Sequence, residues 1–225
     1  MSSLERAAEP PRDCPLCPRL HNFIALWRER QPDWFNAPVP TFVAREGDAS
    51  VRFLVVGLAP GLRGANRTGR PFTGDYAGDL LYRTLHRFGF ANDRFDARTD
   101  DGLELYGTAI TNAVRCVPPD NKPDGSEINT CRQFLRATIA RFENLEAILT
   151  LGTIAHQSTV RALGERIAAH PFGHAARSDI GGLALFSSYH CSRYNTNTGR
   201  LTEEMFVNVF ADVARFLKPE PSAAA

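Results

Sequence analysis

Lysine is almost missing from this sequence: of 26 basic residues only Lys122 and Lys218 are lysine, and the rest are arginine. Arginine suits bidentate phosphate contacts, yet a GC-rich genome gives the same bias, so the composition alone assigns no partner. An excess of one charge is also lacking. With 26 Lys and Arg against 25 Asp and Glu, the formal net charge is +1, which excludes a global attraction to nucleic acid and leaves only a local basic surface for that purpose. No apolar run reaches the roughly 18 residues that would span a bilayer, and the start "MSSLERAAEPP" lacks the apolar region of a secretory signal. A soluble, cytoplasmic protein without a membrane partner is expected. Repeats, low-complexity tracts and linkers are absent as well. The 225 residues, 43% hydrophobic, therefore read as one domain over 14–217 between short tails at 1–13 and 218–225. A G-x-x-x-x-G-K-[ST] phosphate loop is not found, and the one glycine-rich loop is too long for a dinucleotide fingerprint.

That loop follows a buried strand. Phe53 to Val56 are four apolar residues in a row, ending at Gly57, as in a parallel-sheet strand covered on both faces. The chain then runs through "LAPGLRGANRTGRPFTGDYAG", leaving the carboxyl end of the strand, the edge at which open α/β sheets bind ligands. Further strands are expected in "GTAITNAV", "AILTLG" and "LALFSSYH". Helices are expected over Asp79 to Phe88, Glu127 to Phe142, Thr153 to Leu163 and Thr202 to Leu217, with an earlier one presenting Leu20, Phe23, Ile24 and Trp27 on one face. This alternation predicts a three-layer α/β fold, a four-stranded parallel sheet with helices on both faces. Gly57, Asn112, Gly152 and His190 would then meet at one edge.

Five cysteines punctuate the chain. Cys14 and Cys17 form C-x2-C, and Cys116 and Cys131 form C-x14-C, while Cys191 stands outside the pattern. Two residues between thiolates let a chain curl around one metal centre. Disulfides are disfavoured in a cytosolic protein. Spacing does not separate zinc from an iron–sulfur cluster, since both accept four thiolates.

"GLAPGLRGANRTGRPFTGD", "TNAVRCVPPDNKP" and "SYHCSRYNTNTGRLT", with the four cysteines, resemble the family 5, or type B, uracil-DNA glycosylases of bacteria and archaea. The likeness runs from about Cys14 to Phe216 with the motifs in the family's order. Family 4 enzymes share the cysteines, but their first motif resembles G-E-A-P-G, with an acid where this chain has Leu58; that departure favours family 5. The resemblance implies a parallel-sheet α/β fold, excision of uracil from DNA with tolerance for other deaminated bases such as hypoxanthine, and a structural 4Fe-4S cluster on Cys14, Cys17, Cys116 and Cys131. No catalytic metal is expected, and a monomer suffices.

Such chemistry requires a base taken out of the stack, recognised and released. Phe72 can stack on the flipped base or pack the loop from below. Asn112 carries both the donor and the acceptor that match uracil O4 and N3–H, or it caps a turn. His190 can donate to uracil O2 as negative charge collects there; its place in the third motif raises that role above an ordinary structural histidine. Because Leu58 cannot hold a water, Asp75 is the candidate base, with helix capping as its competing role and backbone groups of Gly57, Leu58 and Ala59 as a further means of placing water. Asn195 is expected near the base or a phosphate. Asn66, Arg67 and Arg70 read as a phosphate clamp, and Arg193 or Tyr194 as the element filling the gap in the duplex. His170 and His174 in "HPFGH" contact DNA or form a turn. The remaining alternatives are a family 4-like enzyme, a non-catalytic iron–sulfur protein that binds or traps DNA, although no basic insert follows the first motif, and a nucleotide-binding module.

Overall fold

The computed structural model describes residues 8–217, so Lys218 and most of the two expected tails lie outside the described residues. The described part of the N-terminal segment is tied to the domain, since Glu9 accepts from the Thr41 amide and from Arg115 Nη1, each at 3.1 Å.

Five strands form the sheet: β1 (Phe53–Gly57), β2 (Thr108–Asn112), β3 (Ala147–Leu151), β4 (Arg177–Ile180) and β5 (Leu183–Ser188), in the order β2-β1-β3-β5-β4. The pairs β1–β2, β1–β3 and β3–β5 are parallel. Every residue of β1, β2 and β3 is buried, as strands covered on both faces must be. Alternation along β1 divides the core. Phe53 and Val55 pack with α3 (Tyr76–Arg87) and α7 (Glu203–Leu217), through Leu81, Leu85, Phe206 and Phe210. Leu54 and Val56 face α4 (Gly125–Arg141) and α5 (Thr153–Ala162), through Leu135 and Val160. The expected three layers are present.

The four-stranded, all-parallel expectation needs a correction. β4 is a fifth strand, antiparallel to β5 and joined to it by Gly181 and Gly182, whose φ values of 59° and 88° suit a tight hairpin turn. In its sequence, Arg-Ser-Asp-Ile, Arg177 and Asp179 are exposed, Ser178 is half-buried and Ile180 is buried; charged side chains on an edge strand resist pairing with other chains. Periodicity could not register it, although the Gly-Gly pair was a hairpin signal.

A third, smaller core lies beside the sheet. There α1 (Pro18–Arg30), which starts directly after Cys17, buries Leu20 and Ile24 against Val114, Val117 and Phe134. Of the other residues expected on that face, Phe23 is partly buried and Trp27 stacks on Trp34, centroids 5.5 Å apart. Ala59 and Leu62, from the loop after β1, rest on this same core. Asn36, fully buried at φ 42°, donates from Nδ2 to the carbonyls of Trp27 (3.1 Å) and Gln31 (2.7 Å) and so closes the end of α1. Its Oδ1 accepts from Asn66 Nδ2 at 2.8 Å, which joins α1 to the short helix α2 (Ala65–Thr68).

Candidate active site

Parallel register sets Gly57 directly beside Asn112 at the carboxyl edge, and the Gly152 amide donates to Ser188 O at 2.8 Å. The four strand ends meet there as expected. Over them opens a cavity of about 670 Å³, lined by Leu58, Phe72, Asp75, Asn112, His190 and Arg193 among others.

Gly57 is required by close approach. A Cβ there would run into Asn112 Oδ1 and would stand 2.6 Å from Phe72 Cζ, so a bare α-carbon lets amide and ring close over the strand end. Phe72 takes a left-handed φ of 52°, uncommon for a bulky residue, and is held by its surroundings: only 6% exposed, it stacks on His190 with centroids 5.9 Å apart and planes 27° apart. Asn112 is 3% exposed at the pocket wall. Both Phe72 and Asn112 thus border the cavity while remaining part of the packed interior.

Asp75 is half-buried, and its Oδ1 is sealed from solvent without a hydrogen-bond partner. Desolvation holds this carboxyl above the usual range, with the nearby amides of Gly78 and Ala77 offsetting part of the effect. It stands at the N-cap of α3 with extended backbone, but its side chain makes no capping bond of good geometry. A carboxylate short of partners at the wall of a cavity can accept a proton from water. His190 is also half-buried, with Nδ1 sealed and unpartnered; burial pushes its pKa down to about 4, so the ring is neutral at pH 7. Leu58 and Ala59 line the cavity, without an acid between them.

Other expected site residues fall in different places. Asn195 donates from Nδ2 to His190 O at 2.8 Å, so its amide is engaged in holding the loop. Arg193 lines the cavity and lies 5.3 Å over the Tyr76 ring, and Tyr194, beside it on α6 (Arg193–Asn197), is 73% exposed. Arg67 is exposed, and its Nε donates to Arg63 O. Two members of the expected phosphate clamp are corrected. Asn66 is fully buried against Asn36, and Arg70, 6% exposed, makes a two-pronged pair with Asp101, its Nη1 and Nη2 lying 2.9 and 2.6 Å from the carboxylate oxygens. Arg70 is turned inward onto the 98–101 segment, away from the position of a phosphate clamp. In its place Arg63 is exposed at the cavity, with Tyr76 and Asn121, which sequence reasoning missed. Arg63 is the first of the three arginines in the same loop, while Asn121 carried no signal beyond the turn residues around it.

Cys14, Cys17, Cys116 and Cys131 line one small enclosed cavity with Leu16, Leu20 and Phe134, and none is in a disulfide. Cys131 Sγ accepts from the Arg115 amide at 3.3 Å. Burial, then the charges of neighbouring thiolates, pushes Cys17 up to about 11 and Cys116 further. A cation held among them would favour the thiolate forms of Cys17 and Cys116. Among the described residues no three His, Cys, Asp or Glu side chains converge on a single metal ion. Four soft sulfurs in an apolar shell are the donor type of thiolate-bound zinc and of iron–sulfur centres alike. Cys191 lies apart, buried, with Sγ 3.5 Å from Ala77 O.

Comparison with known proteins agrees with this geometry. The family described as "Uracil DNA glycosylase superfamily" matches residues 44–214. The "Type-5 uracil-DNA glycosylase" of Thermus thermophilus is 42% identical over 90% of this chain and 93% of its own length. That of Pyrobaculum aerophilum is 36% identical, with 90% and 88% covered. A "Type-4 uracil-DNA glycosylase" from Sulfurisphaera tokodaii is 28% identical, with 93% and 84% covered. On the extent of the family match and the identity to the type-5 relatives, this chain belongs to the uracil-DNA glycosylase superfamily, in its type-5 branch.

Proposed function

We propose that this chain excises uracil from DNA by hydrolysing the bond between base and sugar, leaving an abasic site for base excision repair. The observation that carries the reading is the convergence of Phe72, Asn112, Asp75 and His190 on one cavity at the sheet edge, in a chain of this family.

A base turned out of the duplex must recover its unstacking cost inside the pocket. Phe72 supplies an apolar face, and the Asn112 amide supplies one donor and one acceptor for the lactam edge of the base. Release of uracil leaves negative charge on the base and positive charge on the sugar. A neutral His190 N–H donates to O2 as that charge forms; a preorganised donor of this kind contributes about 3 to 4 kcal/mol. Asp75 as a carboxylate takes the proton of the attacking water and faces the developing positive charge. Leu58 gives no help in either task, so the burden falls on Asp75, with main-chain groups around Ala59 orienting the water.

Uracil and hypoxanthine share the N–H next to C=O that deamination creates, and the Asn112 amide matches both. The roomy cavity and the apolar Leu58 support acceptance of hypoxanthine and other deaminated bases. Arg63, Arg67 and Arg193 are placed to touch phosphates, and Tyr194, exposed beside the pocket, to enter the gap in the stack. Cys14, Cys17, Cys116 and Cys131 would hold a 4Fe-4S cluster that joins the N-terminal segment to the loop and helix after β2. When bound, the cluster supplies cross-links, not a reaction step. The Arg19 guanidinium bridges the same elements, with Nε and Nη2 at 2.8 and 2.7 Å from the Glu127 carboxylate. The cavity is built from one chain, so the reading needs no second copy, and free thiols accord with a cytoplasmic place of action.

The test is release of free uracil from a duplex with a single U·G pair, together with strand scission at that position after alkali. Turnover supports the reading. Binding without release, or a covalent adduct that never turns over, would replace it with a DNA-binding or trapping role.

A further inference from the structure

The motif "HPFGH" does not line the cavity, yet the structure brings it against the strand that delivers His190. The Gly152 amide makes the last ladder bond on the β3 side, to Ser188 O. The next amide along β5, that of Tyr189, is received by a side chain: His174 Nδ1 accepts it at 3.3 Å, with Ser188 Oγ 3.4 Å from the same nitrogen. The His174 ring also stacks on Tyr189, centroids 5.0 Å apart and planes 16° apart, and the Arg200 guanidinium lies 4.7 Å over that tyrosine. The imidazole itself is held in place. Ala175 N–H donates to Ser187 O at 2.8 Å and Ser187 N–H to Ala176 O at 3.0 Å, so the segment continues the β4–β5 ladder. At its other end His156 lies 2.8 Å from both His170 O and Ser187 Oγ. Burial keeps His174 below the ordinary imidazole range, so at neutral pH Nδ1 has its lone pair free to accept.

We infer that His174 is a positioning residue for His190: its Nδ1 and its stacked ring fix the Tyr189 peptide, and through it the place of the His190 imidazole against the base. The inference rests on the reading of His190 as donor to the departing base. Misplacing a reacting group by about 1 Å costs up to about 100-fold in rate, so a lost acceptor one peptide away has a measurable effect.

The test is a double-mutant cycle on the full chain, read by single-turnover excision at saturating enzyme and by duplex affinity. His174→Ala should slow excision about tenfold with affinity within about twofold. His174→Asn, whose Oδ1 sits where Nδ1 was, should recover most of the loss. In a His190→Ala background, His174→Ala should add nothing. An additive loss in the double variant, an equal fall in affinity, or an Asn variant no better than Ala each overturns the inference. Melting curves are taken first; were His174→Ala to unfold, His174→Phe, which keeps the ring without the acceptor, takes its place in the cycle. If His190→Ala alone excises at the wild-type rate, the donor reading fails and the positioning role falls with it. A slowed His190→Ala beside a fully active His174→Ala rejects the positioning role alone.

Discussion

The carboxylate of Asp75 fills the space that a side chain at Gly64 would need, and its other oxygen, Oδ1, is buried without a partner. This is a poor place for a negative charge, and the carboxyl is held above its ordinary value by desolvation. A folded-state value above the unfolded one means that the folded protein binds the proton more tightly, so stability falls as pH rises through that range. Asp75→Asn removes the charge and keeps the shape. It should melt higher than wild type at pH 8 while excising uracil at least 100-fold more slowly, the usual contribution of a positioned base. A variant that melts lower and keeps full activity would make Asp75 a helix cap.

His190 is expected to work as a neutral donor. With its value pushed down to about 4 by burial, its charge does not change between pH 5.5 and 9, and the single-turnover rate should show no inflection near 6.5 from this group. His190→Ala should lose about 100-fold or more in that rate with duplex affinity nearly unchanged. The sign for stability is opposite to that of a salt-bridged histidine. The contribution is fully present above the unfolded value of 6.5 and is lost as pH falls toward about 4. A single-turnover rate that falls as pH rises through about 6.5, with that fall missing in His190→Ala, would show that an imidazolium does the work.

For Asn112, replacement by Asp keeps the acceptor, removes the donor and sets a charge beside a carbonyl. Uracil excision should weaken by about 2 to 3 kcal/mol in transition-state stabilisation, read from kcat/KM. Gly57→Ala should harm the same step by another route, since its methyl group displaces Asn112 or Phe72. Wild-type kcat/KM in both variants would remove the base from this end of the cavity.

The layers of this fold were legible because buried parallel strands and long helices write strong periodic signals. Phe53 to Val56 gave the sheet away, and four strand-end residues predicted the edge where the cavity lies. What the pattern could not convey was which side of a loop each polar residue faces. Arg67 and Arg70 are three residues apart in one glycine-rich stretch, yet one is exposed and the other pairs inside with Asp101, 31 residues further on. That outcome depends on a distant acid, and no local spacing contains it. β4 escaped for a related reason, being short, charged and half exposed.

Arg70 and Arg63, one buried and one exposed at the cavity, separate two kinds of arginine in one experiment. Arg70→Ala should cost about 2 to 3 kcal/mol of stability by leaving the Asp101 carboxylate with only the amides of Asp96 and Leu103, with the salt dependence of DNA binding unchanged. Arg63→Ala should leave the melting temperature alone and reduce the slope of log affinity against log salt by about one. The reverse assignment of effects would return Arg70 to the DNA face.

The purified protein should be brown and hold about four irons per chain, by visible absorption and metal analysis. Cys14→Ala should chiefly lower stability, because a cluster on these thiols would close a long loop between the N-terminal segment and α4. Stoichiometric zinc in a colourless, folded protein would refute the cluster.

The Asn36–Asn66 bond gives the stretch between α1 and β1 a fixed length. One side chain closes the end of a helix at Trp27 and Gln31 and grips the loop at the mouth of the cavity, so a residue inserted between Gln31 and Asn36 would pull both ends out of register. A trimmed form beginning after Arg30 would keep the bond to Asn66 but lose the Trp27 carbonyl, one of the two that Asn36 Nδ2 holds. Tolerance to length change, and room for tags or fused partners, belongs instead to the open turn at Gly181 and Gly182, where an added side chain meets nothing within 4 Å.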